Sequence, residues 1–248
     1  MDGCVGRARR AWPAVLLAII AWPAAICGAV TLEQESSLLC DRYRQNMLGI
    51  KTLDLTFRMS TSTQGATAMT VSSPREQVIW DRGRGKLKNK TLVSEPRAYV
   101  ADSQSKTIEY VNGSSSVFKD QLDDAQAVSM TTPFPGWLWR PEWLMPSNPT
   151  QVREEGAALV MVFGGSHPRR EIWLDRRTAL LVKFVDTDAK GNVMRIASCR
   201  DWTSTGDARV PREIEEELRT RNGTLRRIII LEANRVNAAL PDSEYALP

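Results

Sequence analysis

The chain has 248 residues, with 33 basic against 29 acidic side chains, a formal net charge of +4, 42% apolar residues and one histidine. The basic residues are scattered among acidic ones and no Arg/Lys stripe interleaves with aromatics, so there is no nucleic-acid footprint. No Gly-x-Ser-x-Gly elbow, His-Glu-x-x-His pair or Cys-x-x-Cys occurs, which removes the commonest hydrolase and metal signatures and leaves neither a metal nor a cofactor implied.

Residues 1–29 read as a secretory signal. Arg7, Arg9 and Arg10 precede the apolar stretch "AWPAVLLAIIAW", which falls short of the roughly 20 residues of a spanning helix. Small residues in "CGA" (27–29) then mark a cleavage site before Val30. The rival readings are a lipoprotein signal with Cys27 lipidated, in which Ile26 stands where a small residue is expected, and an uncleaved anchor. Setting aside 1–29, with three Arg and one Asp, leaves 219 residues of formal net charge +2. Cys40 and Cys199 remain. An oxidising compartment permits one bridge between them; the other reading is two small buried residues that never meet.

Residues 32–50 carry a helical stripe: Leu39, Tyr43, Met47 and Ile50, with Cys40 at its edge. "LDLTFRMS" (53–60) then alternates, placing Leu53, Leu55, Phe57 and Met59 on one side of a strand and Asp54, Thr56, Arg58 and Ser60 on the other. Strand-and-turn signals follow to the C-terminal region, about ten strands in meander order. They include "QVIW" before the charged break "DRGRGK", "RAYVAD" and "TIEYV" around "DSQSK", and "REIEEELRT" and "TLRRIIILEA" around Asn222-Gly223. Leu180, Val182 and Phe184 are expected on one face, and Glu213, Glu215 and Glu217 in water. The middle interrupts the meander. "DDAQAVSM" (123–130) predicts a short helix, and "TTPFPGWLWRPEWLMPSNP" (131–149) predicts a structured loop carrying Trp137, Trp139 and Trp143. No strand–helix–strand alternation is present, so a parallel sheet is not expected. One sheet of ten strands must curl or split. A curled sheet with polar residues outside has an apolar concavity that the helix and the aromatic loop can fill. His167 sits in a loop between two strands, where a histidine is ordinarily solvated.

The stretch "LLCDRYRQNMLGIKTLDLTFRMSTSTQGATAMTV" resembles the opening of the periplasmic lipoprotein carrier family, LolA, in which a helix leads into apolar spacing matched here by Ile50, Leu53, Leu55 and Phe57. "VIWDRGRGKLKNKTLVSEPRAYVADSQSKTIEYV" is similar to its next section, with Trp80, Arg82 or Arg84, Val100, Asp102, Lys106 and Tyr110 in the matching places. "IWLDRRTALLVKFVDTDAKGNVMRI" resembles its late hairpin and "NAALPDSEYALP" its terminal strand. Relatives of this fold include the outer-membrane receptor LolB and a periplasmic stress regulator that binds an anti-sigma factor.

The resemblance implies one domain over 30–248, mainly β with a helical lid: a half-open, strongly curved antiparallel sheet with the helix on its concave side. It implies a periplasmic monomer that takes an acylated lipoprotein or a lipid, with an inner-membrane release complex and an outer-membrane receptor as partners. Leu53, Leu55, Phe57, Met59, Trp80 and Tyr110 would line the cavity; Leu39, Tyr43, Met47, Trp137, Trp139 and Trp143 would form the lid and plug. Arg82 or Arg84 would hold the lid, although the Pro that usually follows this Arg is missing. A regulatory module that senses lipid or protein, and a secreted hydrolase, are the alternative functions.

Overall fold

The computed structural model describes residues 30–65, 68–92, 97–113, 116–166, 168–206, 208–221 and 223–247. The signal region with Cys27, His167 and Asn222 all lie outside the described residues. Helix α1 (Leu32–Gly49) leads into β1 (Thr52–Gly65), β2 (Met69–Ser72), β3 (Glu76–Asp81), β4 (Lys86–Thr91), β5 (Arg97–Asp102), β6 (Thr107–Asn112) and β7 (Phe118–Gln121). Three short helices follow, α2 (Asp124–Met130), α3 (Gly136–Trp139) and α4 (Pro141–Leu144). The second half is β8 (Gln151–Glu155), β9 (Ala158–Gly164), β10 (Arg169–Asp175), β11 (Leu181–Thr187), β12 (Val193–Thr205), β13 (Ala208–Thr220) and β14 (Gly223–Val236).

The fourteen strands among the described residues form one antiparallel sheet, in the order β7-β6-β5-β4-β3-β1-β14-β13-β12-β11-β10-β9-β8, with β2 paired to β1. The two halves of the meander join where β1 meets β14, so chain start and chain end share the sheet's centre. The ends of the path, β7 and β8, do not pair, and the sheet is open.

Helix α1 starts where Thr31 and Gln34 exchange side-chain and backbone hydrogen bonds, satisfying two of the donors a helix start leaves over. It buries Leu39, Cys40, Tyr43 and Met47. These residues belong to a single apolar cluster that reaches Leu87 of β4 on one side and Leu159 and Met161 of β9 on the other. Nine strands at about 4.8 Å spacing would spread roughly 38 Å if flat. One helix about 10 Å wide and one short loop can join all nine only if the sheet curls around them. Curvature therefore follows from the contacts of the core.

The alternation of β1 holds: Leu53, Leu55 and Phe57 face the core, and Met59 packs at its margin. Asp54 and Thr56 are buried as well, because the outer face of the sheet is also covered there. That cover is the C-terminal segment. Leu240 and Tyr245 pack on Ile79 and Val100, and residues Asp242–Tyr245 form a 3-10 turn rather than the terminal strand that the sequence suggests. Pro241 starts this turn, and its missing N–H cannot serve a ladder.

One further expectation is corrected, at β11, and two strands show more than the sequence reading singled out. "KLKNKT", which starts at the last residue of the charged break, forms β4: its alternation buries Leu87 inside, while the Lys88 ammonium donates to the Ala246 carbonyl outside. Val182 does not share the face of Phe184. The register with β10 passes from Lys183 to Leu181, so Val182 is the extra residue of a bulge and is left exposed. Within "REIEEELRT" the outer acids are Glu213, Glu215 and Glu217, but Glu216 shares the inner face of Ile214 and is 2% exposed.

Candidate functional site: a plugged concave face

The concave face is closed by side chains of α1 and of the 131–149 loop. Trp137 and Trp139 are buried with Leu138, Leu144 and Met145, while Trp143 is 46% exposed, its ring lying under the Arg140 guanidinium at 4.4 Å. Trp139 sits 6.5 Å from Trp80 at a 50° tilt, and Trp137 meets Phe184 edge-on at 4.9 Å. Leu39, Tyr43 and Met47 complete the filling from the helix.

The loop is fastened mainly through its own carbonyl oxygens. Arg82 donates to Trp139 O at 2.5 Å, with its guanidinium over the Trp80 ring at 4.9 Å. Arg44 of α1 donates to Met145 O at 3.2 Å. Arg170 of β10 donates to Trp143 O at 2.6 Å and Leu144 O at 3.1 Å, while Asp186 holds it through two hydrogen bonds of 2.5 and 3.0 Å. These bonds depend on the loop's shape and little on its side chains. Of the two arginines of this turn Arg82 contacts the loop, while Arg84 points the other way. It pairs with Asp81 and Asp242, donates to the Leu240 carbonyl and stacks on Tyr245 at 5.1 Å. One turn thus grips the plug inside with Arg82 and the C-terminal segment outside with Arg84.

Two polar atoms in this filling, Tyr43 Oη and Trp139 Nε1, are buried without a hydrogen-bond partner among the described residues. Each such atom costs roughly 1–3 kcal/mol. Burial, with a smaller contribution from Cys199, pushes the Tyr43 hydroxyl's pKa well above its usual value. Cys40 and Cys199 are free and both buried, so the bridge is not formed. Cys40 Sγ instead lies 3.2 Å from Met161 Sδ on β9, whereas Cys199 faces the core from β12. Burial raises the Cys40 thiol pKa to about 11 and that of Cys199 further.

Away from the plug the same face is less covered. The register aligns Leu55, Val78, Asn89, Tyr99, Tyr110 and Phe118 in one cross-strand row from β1 to β7. Tyr110 is therefore on the concave side but outside the filled core: it is 38% exposed and stacks on Phe118 at 5.4 Å. A cleft of about 410 Å³ opens here, lined by Glu76, Asn89, Tyr99, Ile108 and Tyr110 among others. Burial raises the Glu76 carboxyl above its usual range, against a lowering hydrogen bond from Asn89.

A charged row crosses the inner face beside the plug. Arg170, Asp186, Arg195, Glu216 and Arg227 stand on β10 to β14, one on each strand. Glu216 accepts from Trp137 Nε1 at 3.3 Å and lies 3.4 Å from both Arg195 Nε and Arg227 Nη1. Sequence reading missed this row. Its signal was the parity of the strands, since Arg195 alternates with Ala197 and Cys199, and Arg227 with Ile229 and Leu231.

No protein-family model matches the sequence, and neither does any curated protein. Solved structures do match in shape. A LolA superfamily protein from Nitrosomonas europaea superposes with a TM-score of 0.55 at 10% identity, covering 85% of this chain and 97% of that one. A DUF1329 family protein from Desulfovibrio piger gives 0.42 at 11% identity over 85% and 96%. A putative outer membrane lipoprotein-sorting protein domain from Vibrio parahaemolyticus gives 0.37 at 12% over 86% and 95%. The latter two superpose too loosely to constrain the reading. With its helix and loop seated in one open antiparallel sheet, the described chain has the fold of the LolA superfamily.

Proposed function

We propose that this chain is a periplasmic binding protein whose concave face accommodates the acyl chains of a lipid or lipoprotein, for carriage across the periplasm to the outer membrane. The signal-like residues 1–29 support the compartment. One observation carries the reading: the apolar inner face is covered by a helix and an irregular loop rather than by a second sheet, and three arginines fasten that loop through its backbone carbonyls. Such a cover can be exchanged for another apolar filling without breaking any strand pairing. An acyl chain gains about 0.8 kcal/mol for each CH₂ it buries. Leu53, Leu55, Phe57, Met59 and Trp80 are the surface it would occupy, with Leu39, Tyr43, Met47, Trp137 and Trp139 displaced and Arg82 setting the closed state. Tyr110 and Phe118, on the open part of the same face, are the natural point of entry. This is a role in binding, not catalysis; the inner carboxylates Asp186 and Glu216 are engaged by arginines.

Mass measurement of lipid extracted from natively purified protein tests the reading. An acyl-bearing species at near-stoichiometric amount is expected, and its amount should fall when Leu55 and Phe57 are both replaced by Asn. Protein that carries no lipid and takes up none from vesicles would overturn it.

A further inference from the structure

We infer that the preferred ligand of the concave face is an anionic amphiphile, with its negatively charged headgroup held between Arg195 and Arg227. The inference rests on the acyl-binding reading above and adds the headgroup chemistry to it.

The inner-facing row from β10 to β14 has three arginines against two carboxylates. Arg170 is committed: Asp186 binds it at two points and it holds two loop carbonyls. Arg195 and Arg227 are not. Each touches Glu216 at 3.4 Å, well beyond the 2.7–2.9 Å of a firm charge-assisted bond. Arg195 does so with Nε rather than with a terminal amino group. Arg227 otherwise lies over the Phe134 ring at 5.7 Å. The exposures divide in the same way. The Glu216 side chain is 3% exposed, whereas those of Arg195 and Arg227 are 34% and 29% exposed. The negative partner is thus sunk in the wall, neutralised and tied to Trp137, while two loosely held guanidiniums reach the open side with one surplus positive charge.

The surroundings are those of an amphiphile site. Going inward along the strands, the next residues on this face are Ala197, Ile214 and Ile229, buried in the apolar cluster, and Met59, packed against it. From Thr61, which pairs with Arg227, to Leu53 the face runs eight residues, on the order of 26 Å at strand rise. A headgroup at the arginines therefore leaves its tail directed along the surface that the plug now covers. Planar guanidiniums suit phosphate and carboxylate alike, so the shared chemistry is an anionic head on an acyl tail.

The test compares palmitate, palmitoyl lysophosphatidate and monopalmitoylglycerol in displacing a fluorescent acyl probe from the mature protein at neutral pH. Both anionic ligands, or one of them, should bind about tenfold tighter than the neutral glycerol ester, a difference of one charge-assisted contact. Preference for the lysophosphatidate assigns a phosphate head, and preference for palmitate a carboxylate. Arg195→Gln and Arg227→Gln should abolish the preference while leaving monopalmitoylglycerol affinity within twofold. Arg195→Lys and Arg227→Lys, which keep Glu216 neutralised and so guard against misfolding, should restore most of it. Equal affinity for charged and neutral ligands would overturn the headgroup assignment and leave acyl binding standing. Failure of all three ligands to bind would overturn both.

Discussion

Arg82 and Arg84 lie two residues apart on one turn and serve opposite faces of the sheet. Arg82→Leu removes the bond to Trp139 O and its contact with the Trp80 ring, at a cost to the closed state of roughly 1.5–3 kcal/mol. Acyl-probe uptake should accelerate several-fold, with little change in the melting of the sheet. Arg84→Leu should leave uptake near its original rate and expose the C-terminal segment to carboxypeptidase, which a digestion time course reads directly. The same grip should be sensitive to acid. Burial pushes the Asp81 carboxyl upward, but hydrogen bonds from Arg84 and Gly83 outweigh it and hold its pKa below the usual value. A carboxyl depressed by folding adds stability that is complete above its unfolded pKa of about 4 and is lost as pH falls through the folded value. Protease release of the C-terminal segment should therefore begin below about pH 4 in the wild type, whereas Asp81→Asn should release it already at neutral pH. The two thiols give a plainer expectation. Buried and with raised pKa, Cys40 and Cys199 should resist alkylation in native protein and both react in denaturant without reductant. A single disulfide mass in the unreduced protein would refute this.

The elements that move in this account are α1 and the 131–149 loop, and they differ in how far the sequence discloses them. The stripe Leu39, Tyr43, Met47 is legible because helical spacing puts it on one face, and that face is the one buried. The loop could be recognised as aromatic and irregular from its prolines, but not its orientation. Trp137 and Trp139 turn inward and Trp143 outward because two four-residue helical turns, broken at Arg140, carry them. Alternation gave the inner face of β1 correctly and lost it at β11, where a bulge resets the parity at Val182. It should have placed Glu216 inside; a run of three glutamates conceals the one that faces the core. Arg44 and Arg170 were beyond reach, since their partners are backbone carbonyls 101 and 26–27 residues distant. Trp137→Phe keeps an aromatic ring, though a smaller one than the indole, and removes the N–H from Glu216. The closed loop should lose roughly 1.5–3 kcal/mol, seen as increased quenching of the remaining loop tryptophans by acrylamide.

At the scale of the molecule, curvature lets a single sheet do what normally takes two layers. Its concave side needs a filling, and the chain provides one from its own helix and loop while the C-terminal segment stiffens the convex side. The sheet is continuous through β1 and β14, so under the proposed function the frame would stay intact when lipid replaces the protein filling. The meander and its edges could be read from turn residues; the joining of first and last strands could not, because no local signal records a pairing between residues 53 and 236. The central claim is that ligand replaces plug. Hydrogen exchange with and without saturating palmitoyl lysophosphatidate tests it most directly, peptide by peptide. Faster exchange confined to α1 and residues 131–149, with β1 and β12–β14 unchanged or slowed, is the predicted result. Uniform protection of loop and helix together with the strands would mean that ligand binds elsewhere with the plug still seated, and would contradict the account.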